Sequence, residues 1–86
     1  MLFEYCRLED DTVVTHSEER PDGTVRVLVE RPRDWGFDSA ECELPSLEWT
    51  LVDGFCGDGL ERLRRFVRNN ALLIMRLARE KTPARA

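Results

Sequence analysis

The chain has 86 residues, enough for one small core and too few to divide into two, because a chain of this length buries only about 60–65% of its unfolded surface. Its 42% apolar and 35% charged residues exclude the apolar-poor composition of disordered chains. The formal net charge of −4 hides an asymmetry: residues 1–57 carry fourteen acids and five bases, residues 58–86 three acids and eight bases, which permits a basic surface on an acidic protein.

The longest apolar run, Ala71 to Met75, is far short of the roughly 20 residues of a membrane-spanning helix, so no membrane segment is expected. The opening MLFEYCRLEDD is acidic within ten residues and lacks the basic and apolar stretches of a secretory signal; a cytosolic location is expected. Cys6, Cys42 and Cys56 are odd in number and show no CxxC spacing. They read as free thiols, with no disulfide framework and no structural zinc.

In chain order, the aromatic and apolar run Leu2–Leu8 predicts a first strand, closed by the acidic turn Glu9–Asp11. The β-branched run Thr12–Glu18 predicts a second. Pro21 and Gly23 supply a turn, the proline by presetting φ and the glycine by accepting a positive one, so a hairpin follows. In the third strand Val25, Val27 and Val29 alternate with Thr24, Arg26, Leu28 and Glu30, the period of two of a half-buried strand. RPRDWGFD breaks that pattern at Pro32 and Gly36 and predicts a loop whose Trp35 and Phe37 fold back over a sheet edge. Ala40, Cys42 and Leu44 against Glu41 and Glu43 predict a fourth strand. Beyond Pro45, Leu47, Trp49 and Leu51 share one side of either a fifth strand or a bent extension of the fourth.

From Asp58 the period changes. Asp58 and Glu61 have the spacing of a capping box. Leu60, Leu63, Val67, Ala71, Ile74 and Ala78 then recur every three or four residues, widened by Phe66, Leu73 and Leu77. Asn69 and Asn70 have weak helix propensity, but no glycine or proline accompanies them, so one helix over about 58–81 is expected, ending before Thr82–Pro83 and a frayed tail at 82–86. The fold class is therefore α+β: an antiparallel meander of four or five strands within residues 2–52, then one long C-terminal helix packed on one face of the sheet, all in a single domain. Its core is expected to set Val25, Val27, Val29, Leu47, Trp49 and Leu51 against Leu63, Val67, Ile74 and Leu77.

Catalytic signals are weak. The turn DGFCGDG lacks the Lys and Ser/Thr of a phosphate-binding loop, and Asp53 and Asp58 would repel a phosphate. Cys56 near a helix start has the placement of an activated thiol, but the flanking acids oppose activation and the only histidine is His16, in the second strand. Cys56 is expected to be a buried or half-buried turn residue and His16 a solvated strand residue. Glu41 and Glu43 lie on one strand face, which a solvated acidic sheet explains more simply than acid–base catalysis. No enzyme, metal or cofactor is expected.

Two features point outward. In ALLIMRLA the residues Leu72 and Met75 lie outside the main apolar stripe, and with Trp35 and Phe37 they are the candidates for a partner interface. Arg62, Arg65, Arg68, Arg76 and Arg79 gather on the side of the helix opposite the stripe. The leading expectation is a cytosolic, non-enzymatic interaction or regulatory protein that self-associates or binds a protein partner. The alternative is an antitoxin-like nucleic-acid binder that places Arg62, Arg65 and Arg68 on phosphates; a thiol-dependent enzyme is third.

Overall fold

Alternation builds the sheet. The computed structural model describes residues 1–81, so the tail expected to fray at 82–86 and the Thr82–Pro83 stop lie outside the described residues. Five strands, β1 (Phe3–Arg7), β2 (Val13–His16), β3 (Val25–Arg33), β4 (Gly36–Leu44) and β5 (Glu48–Asp53), precede one helix, α1 (Gly57–Lys81). The strands pair antiparallel in chain order β1-β2-β3-β4-β5, the expected meander, and the fifth strand is separate from the fourth.

The register sorts every strand residue to a face. Across the sheet His16, Val27, Cys42 and Trp49 form one row, and Val14, Val29, Ala40 and Val52 the next. This face carries the core: Val14, Val25, Val27, Val29, Ala40, Cys42 and Leu44 are fully buried and pack with Leu63, Val67, Ile74 and Ala78 of α1. The opposite face carries Arg26 with Glu43 and Glu48, then Leu28 with Glu41 and Leu51, then Glu30 with Ser39 and Asp53. Arg26 pairs with Glu41 and Arg20 with Glu43 across this face, so its central charges are largely matched.

Several expectations need correction. Leu51 is 43% exposed and lies opposite Glu41 on the outer face, whereas Trp49 lies opposite Cys42 on the inner one. A bulge at Thr50 inserts one unpaired residue, and a one-residue shift moves every following side chain to the other face. His16 is 2% exposed, not solvated: it follows Val14 by two residues and so enters the core face, with its ring 5.7 Å from that of Phe3 and Nδ1 donating to the Ser17 carbonyl at 2.8 Å. The expected loop RPRDWGFD is instead the end of the β3–β4 hairpin, closed by Asp34–Trp35 with Arg33 opposite Gly36. Pro32 is tolerated there because β2 reaches only Glu30, leaving β4 as the sole neighbour of β3 at that point. Trp35 and Phe37 consequently project from the tip, 79% and 61% exposed, and cover no sheet edge.

The helix start also departs from expectation. Gly57 turns the chain with φ 54°, and the amide of Leu60 donates to the Cys56 carbonyl, which places Asp58 inside the first turn. Glu61 accepts from Arg64 at 3.2 Å, and no capping-box bond joins it to Asp58 among the described residues. Phe55 is buried and Cys56 exposed, so the phenylalanine anchors this turn and the thiol faces water, contrary to the expected buried or half-buried cysteine. Farther along, α1 runs unbroken through Asn69–Asn70. Asn70 Oδ1 accepts from the Tyr5 hydroxyl at 2.6 Å while Nδ2 donates to the Phe66 carbonyl, tying the helix to β1.

Gly54, between β5 and the helix, has φ 91°, and a Cβ there would overlap the Asp38 carboxylate. Gly23, at φ 83°, has nothing within 4 Å of the same position. Gly23→Ala should therefore cost only about 1 kcal/mol of backbone strain, and Gly54→Ala about 2–3 kcal/mol or more, because strain and collision add. Urea unfolding of the two variants measures the difference.

Candidate functional site

The solvent side of α1 gathers what the core rejects. Positions 62, 65, 69, 72 and 76 recur every three or four residues opposite the buried row Leu63, Val67 and Ile74, so their side chains share one outward ridge. Four arginines of α1, Arg62, Arg65, Arg68 and Arg76, form no ion pair among the described residues, while Arg64 pairs with Glu61 and Arg79 with Glu19. Leu72 stands among them, 86% exposed, the most exposed large apolar side chain after Met1. Met75 turns inward and packs against the core, so the two apolar residues singled out on this half of the helix separate: one is surface, the other largely structure.

Trp35 and Phe37 belong to a different place. The Trp35 ring lies 5.7 Å from the Arg33 guanidinium carbon at the hairpin tip. Arg33 Nε donates to Asp38 Oδ2 at 2.6 Å, and Arg31 donates to the same oxygen from Nε at 3.0 Å and Nη2 at 2.6 Å. The Arg31 guanidinium in turn lies 4.5 Å above the ring of Phe55. These contacts put the tip beside the start of the helix, whereas Leu72 lies fifteen residues, about 22 Å, farther along it. The four interface candidates do not form one patch.

Cys56 and His16 are likewise apart. Phe3 touches both His16 and Lys81, at the C-terminal end of α1, while Cys56 precedes its N-terminal end. The length of a 25-residue helix, about 37 Å, separates the two ends, so these residues form no nucleophile–base pair. Among the described residues no group of three or more His, Cys, Asp or Glu side chains is arranged to hold a metal ion, and no helix is long and apolar enough to cross a membrane. Cys42 is buried against the helix, and burial, with Glu43 next to it, pushes its thiol up to about 11.

One concavity was not anticipated. A cavity of about 270 Å³ opens between the β1–β2 turn, Phe55 and the first turns of α1, with Leu8, Leu63 and Phe66 in its walls and Arg31 and Arg62 at its margin. It forms where the β1–β2 turn meets the start of α1, bringing Leu8 and Leu63 to one cavity, and no sequence pattern marks such a junction. The chain matches no protein-family model, no curated protein and no solved structure.

Two outcomes follow from this geometry. The Arg31 guanidinium, then that of Arg33, holds the Asp38 carboxyl below the usual carboxylate range. The ionised pair therefore adds stability above about pH 4, where an unfolded aspartate is already charged, and loses it as pH falls through the lower folded value. Asp38→Asn should flatten the fall of stability on the acid side of pH 4, read from thermal unfolding at stepped pH. Iodoacetamide at pH 8 should label Cys56 in the folded protein, with Cys42 reacting only in urea, as peptide mass spectrometry would record.

Proposed function

We propose that the chain is a cytosolic, non-enzymatic interaction protein that docks a protein partner, or a second copy of itself, on the outward ridge of α1 centred on Leu72. The observation that carries this reading is an 86%-exposed leucine set among arginines that form no ion pair among the described residues. A small apolar centre with a charged rim is the layout of an interface whose core is desolvated and whose edge steers the approach. The complementary surface would be apolar at its centre and acidic around it. The sheet face opposite α1, with Glu30, Glu48 and Asp53 beside exposed Leu51, has that character, which makes a second copy of the chain one candidate occupant.

A second reading rests on the same arginines. Arg62, Arg65 and Arg68, joined by Arg76, present free guanidinium groups along one helix face, and such a row can lie along a phosphate backbone. The charge of the sheet side, which carries most of the acids, favours the protein-docking reading.

Native mass spectrometry of gently purified protein at low salt tests both. Under the docking reading the wild type appears at multiples of its own mass or with an added protein, and Leu72→Asp shifts it to the bare monomer, at least a tenfold loss of affinity, while its unfolding free energy stays within about 0.5 kcal/mol of wild type. A wild type that is wholly monomeric and indistinguishable from Leu72→Asp would sink the docking reading. Bound nucleic acid that is lost steeply as salt rises would establish the second.

A further inference from the structure

The cavity at the start of α1 is built in a way that the core does not require. Its walls, Leu8, Phe55, Leu63 and Phe66, come from the β1–β2 turn, the turn before the helix, and the helix itself, leaving about 270 Å³ of space. That lies just below the ~300 Å³ at which small-molecule sites commonly begin, and suits a ligand of a single ring or a short branched chain.

The charge at its margin is specific. Arg31 and Arg62 both line the cavity, with Asp10 as the lining acid. The Asp10 carboxylate is already engaged, accepting from the Thr12 amide at 3.2 Å, and its carboxyl is held below the usual range chiefly by Thr12. Asp38 takes Arg31 through Nε and Nη2 and also takes Arg33, leaving Arg31 Nη1 outside that pair. Counting the lining charges with their ion-pair partners, Arg31, Arg33 and Arg62 face Asp10 and Asp38. The sum leaves one positive charge over, and Arg62 forms no ion pair among the described residues.

Gly59 supplies an independent observation. It lines the cavity from the first turn of the helix. Its backbone does not call for glycine, since Gly57 and not Gly59 has the positive φ, and a Cβ built on it meets nothing within 4 Å. Position 59 lies seven residues, two turns, before Phe66, so a side chain there would project on the same side as the Phe66 ring, into the cavity mouth. The absence of a side chain keeps that mouth open.

We propose that this cavity binds a small monocarboxylate with an apolar body, the ring or chain seated among Leu8, Phe55, Leu63 and Phe66 and the carboxylate paired with Arg62. The surplus of one positive charge selects a single negative charge, and the apolar walls select the rest of the molecule.

Sodium phenylacetate and its neutral counterpart phenylacetamide are the probes, titrated into the isotope-labelled full chain and followed by amide chemical shifts. Phenylacetate should shift the amides of Gly59, Leu63 and Phe66 saturably, with phenylacetamide at least tenfold weaker. Arg62→Gln should weaken phenylacetate by the same tenfold. Gly59→Leu should abolish binding while its thermal midpoint is retained or raised, which separates a blocked mouth from a damaged fold. Leu72→Asp should bind phenylacetate as the wild type does, which separates this site from docking centred on Leu72. The absence of saturable shifts, equal binding of acid and amide, or full binding by Arg62→Gln or Gly59→Leu would each overturn the assignment.

Discussion

A helix with its side chains is about 10 Å across, whereas five strands spaced about 4.8 Å apart span about 19 Å, so one helix cannot cover a whole face of this sheet. The molecule is organised around that mismatch. The three central strands place small branched or short residues beneath the helix, and Val14, Val27, Val29, Ala40 and Cys42 are sealed from water. The edge strands compensate with longer side chains that reach toward the helix from either flank: Tyr5 from β1, with its hydroxyl on Asn70, and Trp49 from β5. Both edges also carry a bulge, at Tyr5 and at Thr50, and each bulge changes which side chain faces inward. What the helix cannot reach stays partly wet, which is why Val52, on the inner face of β5, remains 40% exposed.

The hairpin of β3 and β4 runs past the end of β2, and its inward residues there are Arg31 and Asp38 in place of valine and alanine. Without a third strand beside them, apolar side chains would be exposed on one flank. A carboxylate holding two guanidinium groups fills the position with satisfied polar groups, and the Arg31 plane laid on the Phe55 ring continues the core's apolar surface beneath a charged edge. Gly54 passes so close to Asp38 that no side chain fits between them, so the turn into the helix is docked directly on this ion pair. The start of α1, and with it the cavity beside Gly59, is positioned by that contact.

Charge is distributed with a similar logic. On the outer sheet face Arg20 and Arg26 answer Glu43 and Glu41, so the middle of that face carries matched pairs whose individual worth is small. The outward ridge of α1 has no such matching over Arg62, Arg65, Arg68 and Arg76, and the apolar Leu72 stands within it. Asp58, Glu61 and Glu80 stand four residues from Arg62, Arg65 and Arg76, yet none of them pairs with these arginines among the described residues. The ridge therefore combines an exposed apolar side chain with guanidinium groups that form no ion pair among the described residues.

The sequence by itself determined the α+β class, the meander, the inward valines of β3, the inward Ala40, Cys42 and Leu44 of β4, and the buried row of α1, because periods of two and near 3.6 are local and repeat often enough to be read without knowing any partner. It also separated an acidic strand region from a basic helix. What only the tertiary structure decided turns on single residues or on junctions between distant segments. The bulge at Thr50 moved Leu51 outward, and the early end of β2 allowed Pro32 to remain in a strand. The pairing of His16 with Val27 carried a polar ring into the core. The exchange of roles between Phe55 and Cys56, the Tyr5–Asn70 bond and the cavity behind Gly59 likewise depend on which elements meet. Hydrophobic periodicity records which face of an element is buried; it carries no record of which neighbour ends first, where one residue is left over, or what lies across the gap.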